Sequence, residues 1–195
     1  MKKLILIRHG LTEYNLAKRY CGISDIGLSA IGKQNAQQLR NKLNRVKIDQ
    51  VFCSDLKRCR QTAKIIFRGS PLKIVTNPNL REISFGEWEG LTFEQIHNKF
   101  PTTYKKWLKN PFLIDIPGGE NLNNFISRVK KELESILANC PDKTVALVTH
   151  LGVIRAIFNI LLYIKKDDFW HLHLKSETAY IITYSHTFKP KITEL

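Results

Sequence analysis

Two short apolar runs, one at the start of the chain and one near residue 145, most constrain the fold. They cover residues 3–7 and 144–148, and nearly every position within them is apolar. Continuous apolar runs of this length indicate central strands that helices cover on both faces. Strand-like and helix-like segments alternate between them, which is the pattern of an α/β layer fold. The sequence therefore predicts a three-layer α/β/α architecture around a central, mostly parallel sheet.

Three further strands and five helices complete the predicted pattern. The strands are expected at residues 50–53, 72–75 and 179–184. Three helices are expected where a residue suited to the N-cap position precedes an apolar stripe at helical spacing. These N-cap residues are Ser29, Ser54 and Asn121. A capping-box pair predicts a fourth helix, and an apolar fifth helix is expected from residue 152 to about 164. The capping-box pair is Thr92 and Gln95.

Residues 92–117 differ from the rest of the chain because they are rich in aromatic residues and contain Pro101 and Pro111. We expect them to form a small, cap-like helical insertion over the end of the sheet where ligands bind. No repeat or linker interrupts the sequence. Because 195 residues suffice for one well-buried core and are few for two, a single domain over residues 1–195 is expected.

The chain carries a strong excess of positive charge. Its 31 Lys and Arg residues against 17 Asp and Glu residues give a formal net charge of +14. Such an excess suits anionic substrates, nucleic acid or a membrane surface. The sequence contains no nucleic-acid-binding motif, and no apolar run approaches the roughly 18 residues that a membrane span needs. We therefore expect neither nucleic acid nor a membrane as a partner.

The cellular compartment is inferred from the N-terminus and the cysteines. The first apolar run stops at Arg8, short of the roughly 7–15 apolar residues in the core of a signal peptide. The four cysteines form neither a C-x-x-C pair nor a metal-ligand spacing. Free thiols in a reducing compartment are the simplest interpretation, which predicts a cytoplasmic protein.

Polar residues directly follow three of the predicted strands, and a helix start follows each polar set. The three segments are Ile7-Arg8-His9-Gly10, Cys53-Ser54-Asp55-Leu56-Lys57-Arg58 and Val148-Thr149-His150-Leu151-Gly152. The carboxyl ends of parallel strands open onto one crevice, where helix N-termini favour an anion. Each segment alone is also compatible with a purely structural histidine or arginine. Together, two arginines and two histidines in one crevice predict a phosphate pocket.

These segments and one more, found in this order, resemble the signature motifs of the histidine phosphatase superfamily, in its phosphoglycerate-mutase-like branch. The motifs lie at residues 6–15, 53–63, 80–90 and 148–155. The resemblance implies a phosphoglycerate-mutase-like fold and a phosphatase that needs no metal or other cofactor. It implies that His9 attacks a small phosphate ester and forms a phosphohistidine intermediate.

The resemblance also implies roles for individual residues. Arg8, Arg58 and His150 would surround the phosphoryl oxygens, and Glu82 would first donate a proton and then activate water. For this dual role we expect the pKa of Glu82 to be raised by burial and opposed by the arginines. Further contacts to phosphate or substrate are implied at Asn15, Cys21, Gly22 and Leu151. The other nearby carboxylates are interpreted as surface ion-pairing groups; they are Glu13, Glu87 and Glu89.

Within the superfamily the sequence is similar to the α-ribazole 5′-phosphate phosphatases of cobalamin nucleotide-loop synthesis. Mutases of this family have longer chains than this one, and this difference in length favours a phosphatase over a mutase. A broad sugar or glycerate phosphate phosphatase, a phosphoglycerate mutase and a non-catalytic binding module on the same fold remain alternatives, and a homodimer is compatible with the sequence. Four aromatic residues either stack on an aromatic leaving group or pack the insertion. They are Trp88, Tyr104, Trp107 and Phe112. His171 and His173 are expected to be structural or at the pocket rim.

Overall fold

The strands of the described residues form one six-stranded sheet, which organises the fold. The computed structural model describes residues 3–162, 169, 174–175, 178–183 and 190–195. The strands are β1 (Lys3–Arg8), β2 (Gln50–Ser54), β3 (Ile74–Asn77), β4 (Thr144–Thr149), β5 (Ala179–Thr183) and β6 (Lys191–Glu194). Their order is β3-β2-β4-β1-β5-β6. The first four in this order pair in parallel, whereas β5 and β6 are antiparallel to their neighbours. The predicted mostly parallel sheet is confirmed.

Helices cover both faces of this sheet. In the described residues they are α1 (Glu13–Leu16), α2 (Ala30–Leu43), α3 (Lys57–Ile66), α4 (Phe93–Lys99), α5 (Pro101–Lys109), α6 (Leu122–Asn139) and α7 (Leu151–Leu162). One hydrophobic cluster joins the apolar sides of α2 and α3 to the sheet. The other joins α4, α5, α6 and α7 to the opposite face. The two clusters give the three-layer arrangement that the sequence predicts.

The alternation of side chains along β1 shows why its apolar run is continuous. Leu4 and Leu6 belong to the cluster beneath α6 and α7, whereas Ile5 and Ile7 belong to the cluster beneath α2 and α3. All four side chains are fully buried. Burying one such side chain contributes about 1.5–3 kcal/mol, so both faces of β1 need apolar residues.

Three of the predicted helix starts are confirmed and one is wrong. The side chains of Ser29 and Asn121 accept hydrogen bonds from N–H groups of the first turn, and a capping box starts α4. Ser54, in contrast, is the last residue of β2, and α3 begins only at Lys57. The N–H of Lys57 donates instead to the carboxylate of Asp25, which lies in a distant loop. The prediction failed because serine is a favourable N-cap residue, whereas the fold places Ser54 at the end of β2 and not at the start of α3.

The predicted strands match the structure closely except at the sheet edges. The strand expected at residues 72–75 lies two residues later, as β3, and β6 was not predicted. β6 contains one apolar residue, Ile192, and its side chains are mostly exposed. An edge strand of this kind is defined by hydrogen bonds to its neighbour, so its sequence carries little pattern. Residue 184 and residues beyond 162 of the predicted fifth helix lie outside the described part of the chain.

The aromatic residues of the segment 92–117 pack within the protein. Tyr104 and Trp107 are buried, and their rings lie 5.2 Å and 5.4 Å from that of Trp88, which is fully buried. Phe112 packs edge-on against Phe169 at 6.0 Å. The structure therefore favours packing over stacking on a substrate. The segment forms α4 and α5, and its role as a cap within a single domain stays a prediction. Within the described ranges, no helix is long and apolar enough to cross a bilayer.

Candidate active site

Two buried histidines meet where β1 and β4 end side by side. The register pairs Arg8 with Thr149, so His9 and His150 follow neighbouring strands. The N–H of His9 donates to the carbonyl of Thr149 at 2.9 Å. The two imidazole rings lie 5.1 Å apart, edge to face, and both are almost fully shielded from solvent. The structure thus brings together the two predicted histidines.

Hydrogen bonds fix the tautomer of His9. Its Nδ1 lies 2.8 Å from the carbonyl oxygen of Gly10, which can only accept, so Nδ1 carries the proton. The lone pair of the neutral ring is therefore on Nε2, where the Nε–H of Arg58 donates to it at 3.3 Å. Burial lowers the pKa of His9 well below its ordinary value, and the charges of Arg58 and Arg8 lower it further. The ring is neutral, as a nitrogen nucleophile must be.

Arg58 is fully buried on the first turn of α3, with its guanidinium between the two histidines. One terminal nitrogen donates to the carbonyl of Ser24 at 2.7 Å, and the other donates to that of Gly22 at 2.5 Å. The second of these also donates to Nδ1 of His150 at 3.1 Å. A charged guanidinium fixed by this many contacts is oriented before any phosphate arrives, which is the arrangement that stabilises transferring phosphoryl groups.

His150 is oriented by a serine. Because Nδ1 accepts from Arg58, Nε2 carries the proton and donates to the hydroxyl oxygen of Ser54 at 2.9 Å. The thiol of Cys59 packs 3.4 Å from the same nitrogen. Burial lowers the pKa of His150 well below its ordinary value, and the charges of Arg58 and Arg8 lower it further. The role of Ser54 was missed because nothing local in the sequence links it to a histidine 96 residues away.

Glu82 lies beside the start of α7. It contacts Gly152, which follows His150 by two residues in the chain. Its carboxylate accepts from the backbone N–H of Gly152 at 2.9 Å and from that of Ile83 at 3.0 Å. Burial raises the pKa of Glu82, and these two N–H groups, Arg58 and Arg8 oppose the rise. The direction and the opposing arginines agree with the prediction. A Cβ at Gly152 would lie 2.2 Å from a carboxylate oxygen of Glu82, so only glycine leaves room for it.

Side chains from distant elements hold the backbone around Glu82. The hydroxyl of Thr149, at the end of β4, donates to the carbonyl of Leu80 at 2.8 Å. Arg128, on α6, donates to the carbonyls of Asn79 and Arg81 at 2.8 Å and 3.1 Å. The segment that carries the carboxylate is thereby fastened to the strand that precedes His150.

Arg8 is half-buried at the end of β1. Burial lowers its pKa, the carboxylate of Glu82 raises it and the charge of Arg58 lowers it, so all three groups share one electrostatic environment. The one acidic residue of the three turns, Asp55, does not compete for this site. It forms a bidentate pair with Arg81 at 2.7 Å and 2.6 Å instead. The five predicted core residues therefore gather in one place.

The four remaining predicted contact residues lie at the ends of helices and in the loop beside Arg58. Asn15 closes the capping box of α1, where its side-chain oxygen accepts from Thr12 at 3.0 Å. Leu151 starts α7. Burial raises the pKa of the Cys21 thiol to about 11, and Arg58 opposes this rise. The carbonyl of Gly22 accepts a hydrogen bond from Arg58, and its N–H donates one to Glu89. Substrate contact by these four stays a prediction, and His171 and His173 lie outside the described residues.

Two residues near the site make interactions that were not predicted from the sequence. Arg155 lies one turn after Leu151 on α7; burial lowers its pKa and Glu82 raises it, so it shares the environment of the carboxylate. Arg155 lies four residues after Leu151, so both were expected on one face of the predicted helix, and this spacing could have indicated it. Glu89, interpreted as a surface ion-pairing group, binds the backbone of residues 22–24 instead. Among the three carboxylates given that interpretation, only Glu13 and Glu87 are exposed.

The chain is similar to several known proteins. A family profile described as the histidine phosphatase superfamily (branch 1) matches residues 4–193. Phosphoserine phosphatase 1 of Hydrogenobacter thermophilus is 35% identical over 87% of the chain and 81% of its own length. The adenosylcobalamin/α-ribazole phosphatase of Escherichia coli is 30% identical over 88% and 85%. The crystal structure of the α-ribazole phosphatase from Shigella flexneri superposes with a TM-score of 0.90 at 26% identity, covering 97% and 95%.

Proposed function

We propose that this chain, which belongs to the histidine phosphatase superfamily (branch 1), hydrolyses a small phosphate monoester through a phosphohistidine formed on His9. One observation carries the proposal. The unprotonated nitrogen of His9, which is buried, faces a guanidinium that other contacts already hold in place. A nucleophile and a positive charge fixed in this way are what phosphoryl transfer requires.

The first half-reaction forms a bond between Nε2 of His9 and phosphorus. The lone pair attacks, the P–O ester bond breaks, and the leaving oxygen takes the proton of the Glu82 carboxyl group. Arg8 and Arg58 stabilise the charge that spreads over the phosphoryl oxygens. A contact of His150 with those oxygens stays a prediction, because its one N–H donates to Ser54. The phosphorylated ring carries positive charge, which the carbonyl of Gly10 stabilises by accepting from Nδ1 at 2.8 Å.

The second half-reaction returns the enzyme to its starting state. The carboxylate of Glu82, now ionised, takes a proton from water while the water oxygen attacks phosphorus and the P–N bond breaks. Inorganic phosphate leaves, and His9 is neutral again. Glu82 suits both halves because burial favours its neutral form whereas two backbone N–H groups and two arginines favour its ionised form.

For the leaving group, we propose α-ribazole 5′-phosphate as the substrate, as the sequence resemblance suggests. The superposition on an α-ribazole phosphatase over nearly the whole chain supports this choice. Phosphoserine is the second candidate, because the phosphoserine phosphatase relative has the higher sequence identity. A cytoplasmic location and assembly into a homodimer stay predictions.

A substrate panel tests the choice of leaving group. Release of inorganic phosphate is measured from α-ribazole 5′-phosphate, phosphoserine and 3-phosphoglycerate under identical conditions. We expect kcat/KM for α-ribazole 5′-phosphate to exceed the other two by at least about tenfold. A preference for phosphoserine would overturn the proposed substrate and leave the mechanism standing. Conversion of 3-phosphoglycerate to its 2-phospho isomer without phosphate release would show a mutase.

Replacement of the nucleophile tests the reaction class. His9→Ala is expected to lower kcat by at least about 10⁴-fold and to abolish the acid-labile, base-stable phosphoenzyme. His97→Ala is the matched control, because this histidine is exposed on α4. Equal turnover by His9→Ala and the control would refute the proposal. A wild-type protein without turnover of any phosphate ester would favour the non-catalytic alternative.

A further inference from the structure

The carboxylate of Glu89 is hydrogen-bonded to three consecutive residues of one short loop. It accepts from the backbone N–H groups of residues 22–24, which we call the clamp loop, at distances from 2.9 Å to 3.3 Å. The hydroxyl of Ser24 and the N–H of Phe85 also donate to it. Five donor groups therefore converge on one carboxylate, whose two oxygens offer about four lone-pair sites, so its capacity to accept is fully used. These contacts are charge-assisted and stronger than neutral hydrogen bonds.

The other side of the clamp loop faces Arg58. Its two outward carbonyls, those of Gly22 and Ser24, accept from the terminal nitrogens of the guanidinium at 2.5 Å and 2.7 Å. The N–H groups of the loop thus point to Glu89 and its carbonyls point to Arg58. The packing is tight: a Cβ at Gly22 would lie 2.1 Å from the carbonyl oxygen of Ile83 and 2.3 Å from Glu89.

We propose that Glu89 is a positioning residue that orients Arg58 through the clamp loop. The proposal rests on the proposed function, in which Arg58 stabilises the transferring phosphoryl group. Two of the three guanidinium nitrogens are held by the loop, and this leaves the remaining directions of the fork aimed at Nε2 of His9 and Nδ1 of His150. A planar guanidinium has a rigid donor geometry, so a rotation of the loop carbonyls would turn the whole group.

Removal of the negative charge should act on the loop and not on the fold as a whole. In Glu89→Gln, one side-chain oxygen is replaced by an NH₂ group, which would meet the N–H groups of the clamp loop donor to donor. The loop must then shift, and the carbonyls that hold Arg58 shift with it. Misplacement of a catalytic contact by about 1 Å is enough to lower turnover by about 10²-fold.

The first experiment separates kcat from KM with a matched control. Glu89→Gln is expected to lower kcat by about 10–100-fold while KM changes by less than about threefold, because Arg58 contributes more to the transition state than to substrate binding. Glu87→Gln is the control: this glutamate is exposed two residues earlier in the same segment. A kcat for Glu89→Gln within about twofold of the control would overturn the proposal.

A double-mutant cycle shows whether the effect passes through Arg58. In an Arg58→Ala background, Glu89→Gln should change kcat by less than about twofold, since the group that it positions is absent. An equal fractional loss in both backgrounds would mean that Glu89 acts on the fold in general and would refute the positioning role. Ser24→Ala, which removes one donor to Glu89, should lower kcat by about threefold with unchanged KM and provides the same split should Glu89→Gln fail to fold.

A spectroscopic test is independent of activity. The side-chain Nε–H resonance of Arg58 in the ¹⁵N NMR spectrum should be sharp and slowly exchanging in the wild type and in Glu87→Gln. In Glu89→Gln it should shift and exchange faster with water, while the backbone spectrum away from the clamp loop stays unchanged. An unperturbed Arg58 resonance would contradict the inference. This result holds whether or not the protein hydrolyses phosphate esters, so the failure of the proposed function would be recognised separately.

Discussion

The two ends of the parallel strands both gather positive charge, but they hold it differently. At the carboxyl ends, Arg58 is fully buried and its donors are committed to carbonyls and imidazoles. At the amino ends, four cations surround an open cavity of about 490 Å³. They are Lys3, Arg45, Lys47 and Lys143, of which all but the last are exposed. Exposed charges are screened by salt and pay side-chain entropy to meet a ligand, whereas the buried group is already oriented.

The comparison shows that the number of cations does not by itself define a phosphate site. What distinguishes the carboxyl ends is that Arg58, His150 and Glu82 are each held by partners that come from other elements. The described residues that line the cavity at the amino ends include no histidine.

The largest difference is expected between two arginines. Arg58→Ala should lower kcat by about 10³-fold, because it removes a preorganised donor to the transferring phosphoryl group. Arg45→Ala, at the opposite end, should leave kcat within about twofold of the wild type. Steady-state kinetics with the preferred ester measure kcat for both variants and for the wild type. Similar losses in the two variants would mean that the net charge, and not the local arrangement, supports turnover.

A second pair compares two acidic residues. Glu82→Gln should lower kcat by about 10²–10³-fold, because neither proton transfer to the leaving oxygen nor activation of water has another donor or base in place. Asp142→Asn, beside the cavity at the amino ends, should have no measurable effect. Rapid-quench kinetics locate the defect. If Glu82→Gln turned over at the wild-type rate, the assignment of the acid and base would be wrong.

A smaller but sharper effect is expected from one added methyl group. Gly152→Ala should lower kcat by about 10–100-fold, because the new Cβ would displace the Glu82 carboxylate that it would meet at 2.2 Å. The N–H that now donates to Glu82 at 2.9 Å would be displaced as well. Phosphate-release assays measure the loss, and circular dichroism checks that the fold persists. Full activity in this variant would show that Glu82 need not occupy its present position.

The mildest test is the pH dependence of kcat/KM in the wild type. His9 must be neutral, and because burial and two arginines lower its pKa, the acid limb should lie below the ordinary pKa of histidine, about 6.5. Glu82 must be protonated for the first step, and its raised pKa moves the alkaline limb upward from that of an ordinary glutamate. The alkaline limb should fall about tenfold per pH unit and disappear in Glu82→Gln. A limb that persists in that variant would belong to another group.

How much the sequence reveals differs between the centre of the fold and its contacts. β1 and β4 were predictable because a strand covered on both faces must be apolar at nearly every position. The polar residues that follow them were predictable as one cluster because neighbouring parallel strands end together. The edge strand β6 was not, since only Ile192 in it is apolar. Its position follows from pairing with β5, which leaves no periodic signal.

The supporting residues of the site were hidden for a different reason. Ser54 and Glu89 act on partners that lie 96 and 65 to 67 residues away along the chain. A serine before a helix and a glutamate in a polar loop each have an ordinary local interpretation, and the local interpretation was wrong for both. The geometry of the folded chain, not the residue type or its neighbours, determines that one orients His150 and the other holds the clamp loop.

The position of phosphorus in a trapped phosphoenzyme tests the central claim most directly. Wild-type protein labelled with ¹⁵N at histidine is mixed with the preferred ester, quenched in base within milliseconds and analysed by ³¹P–¹⁵N NMR. We expect one phosphohistidine, with phosphorus bonded to Nε2 of His9, formed at least as fast as phosphate is released. Phosphorus on Nδ1 or on another residue, or full turnover with no phosphoenzyme at any time, would contradict the account.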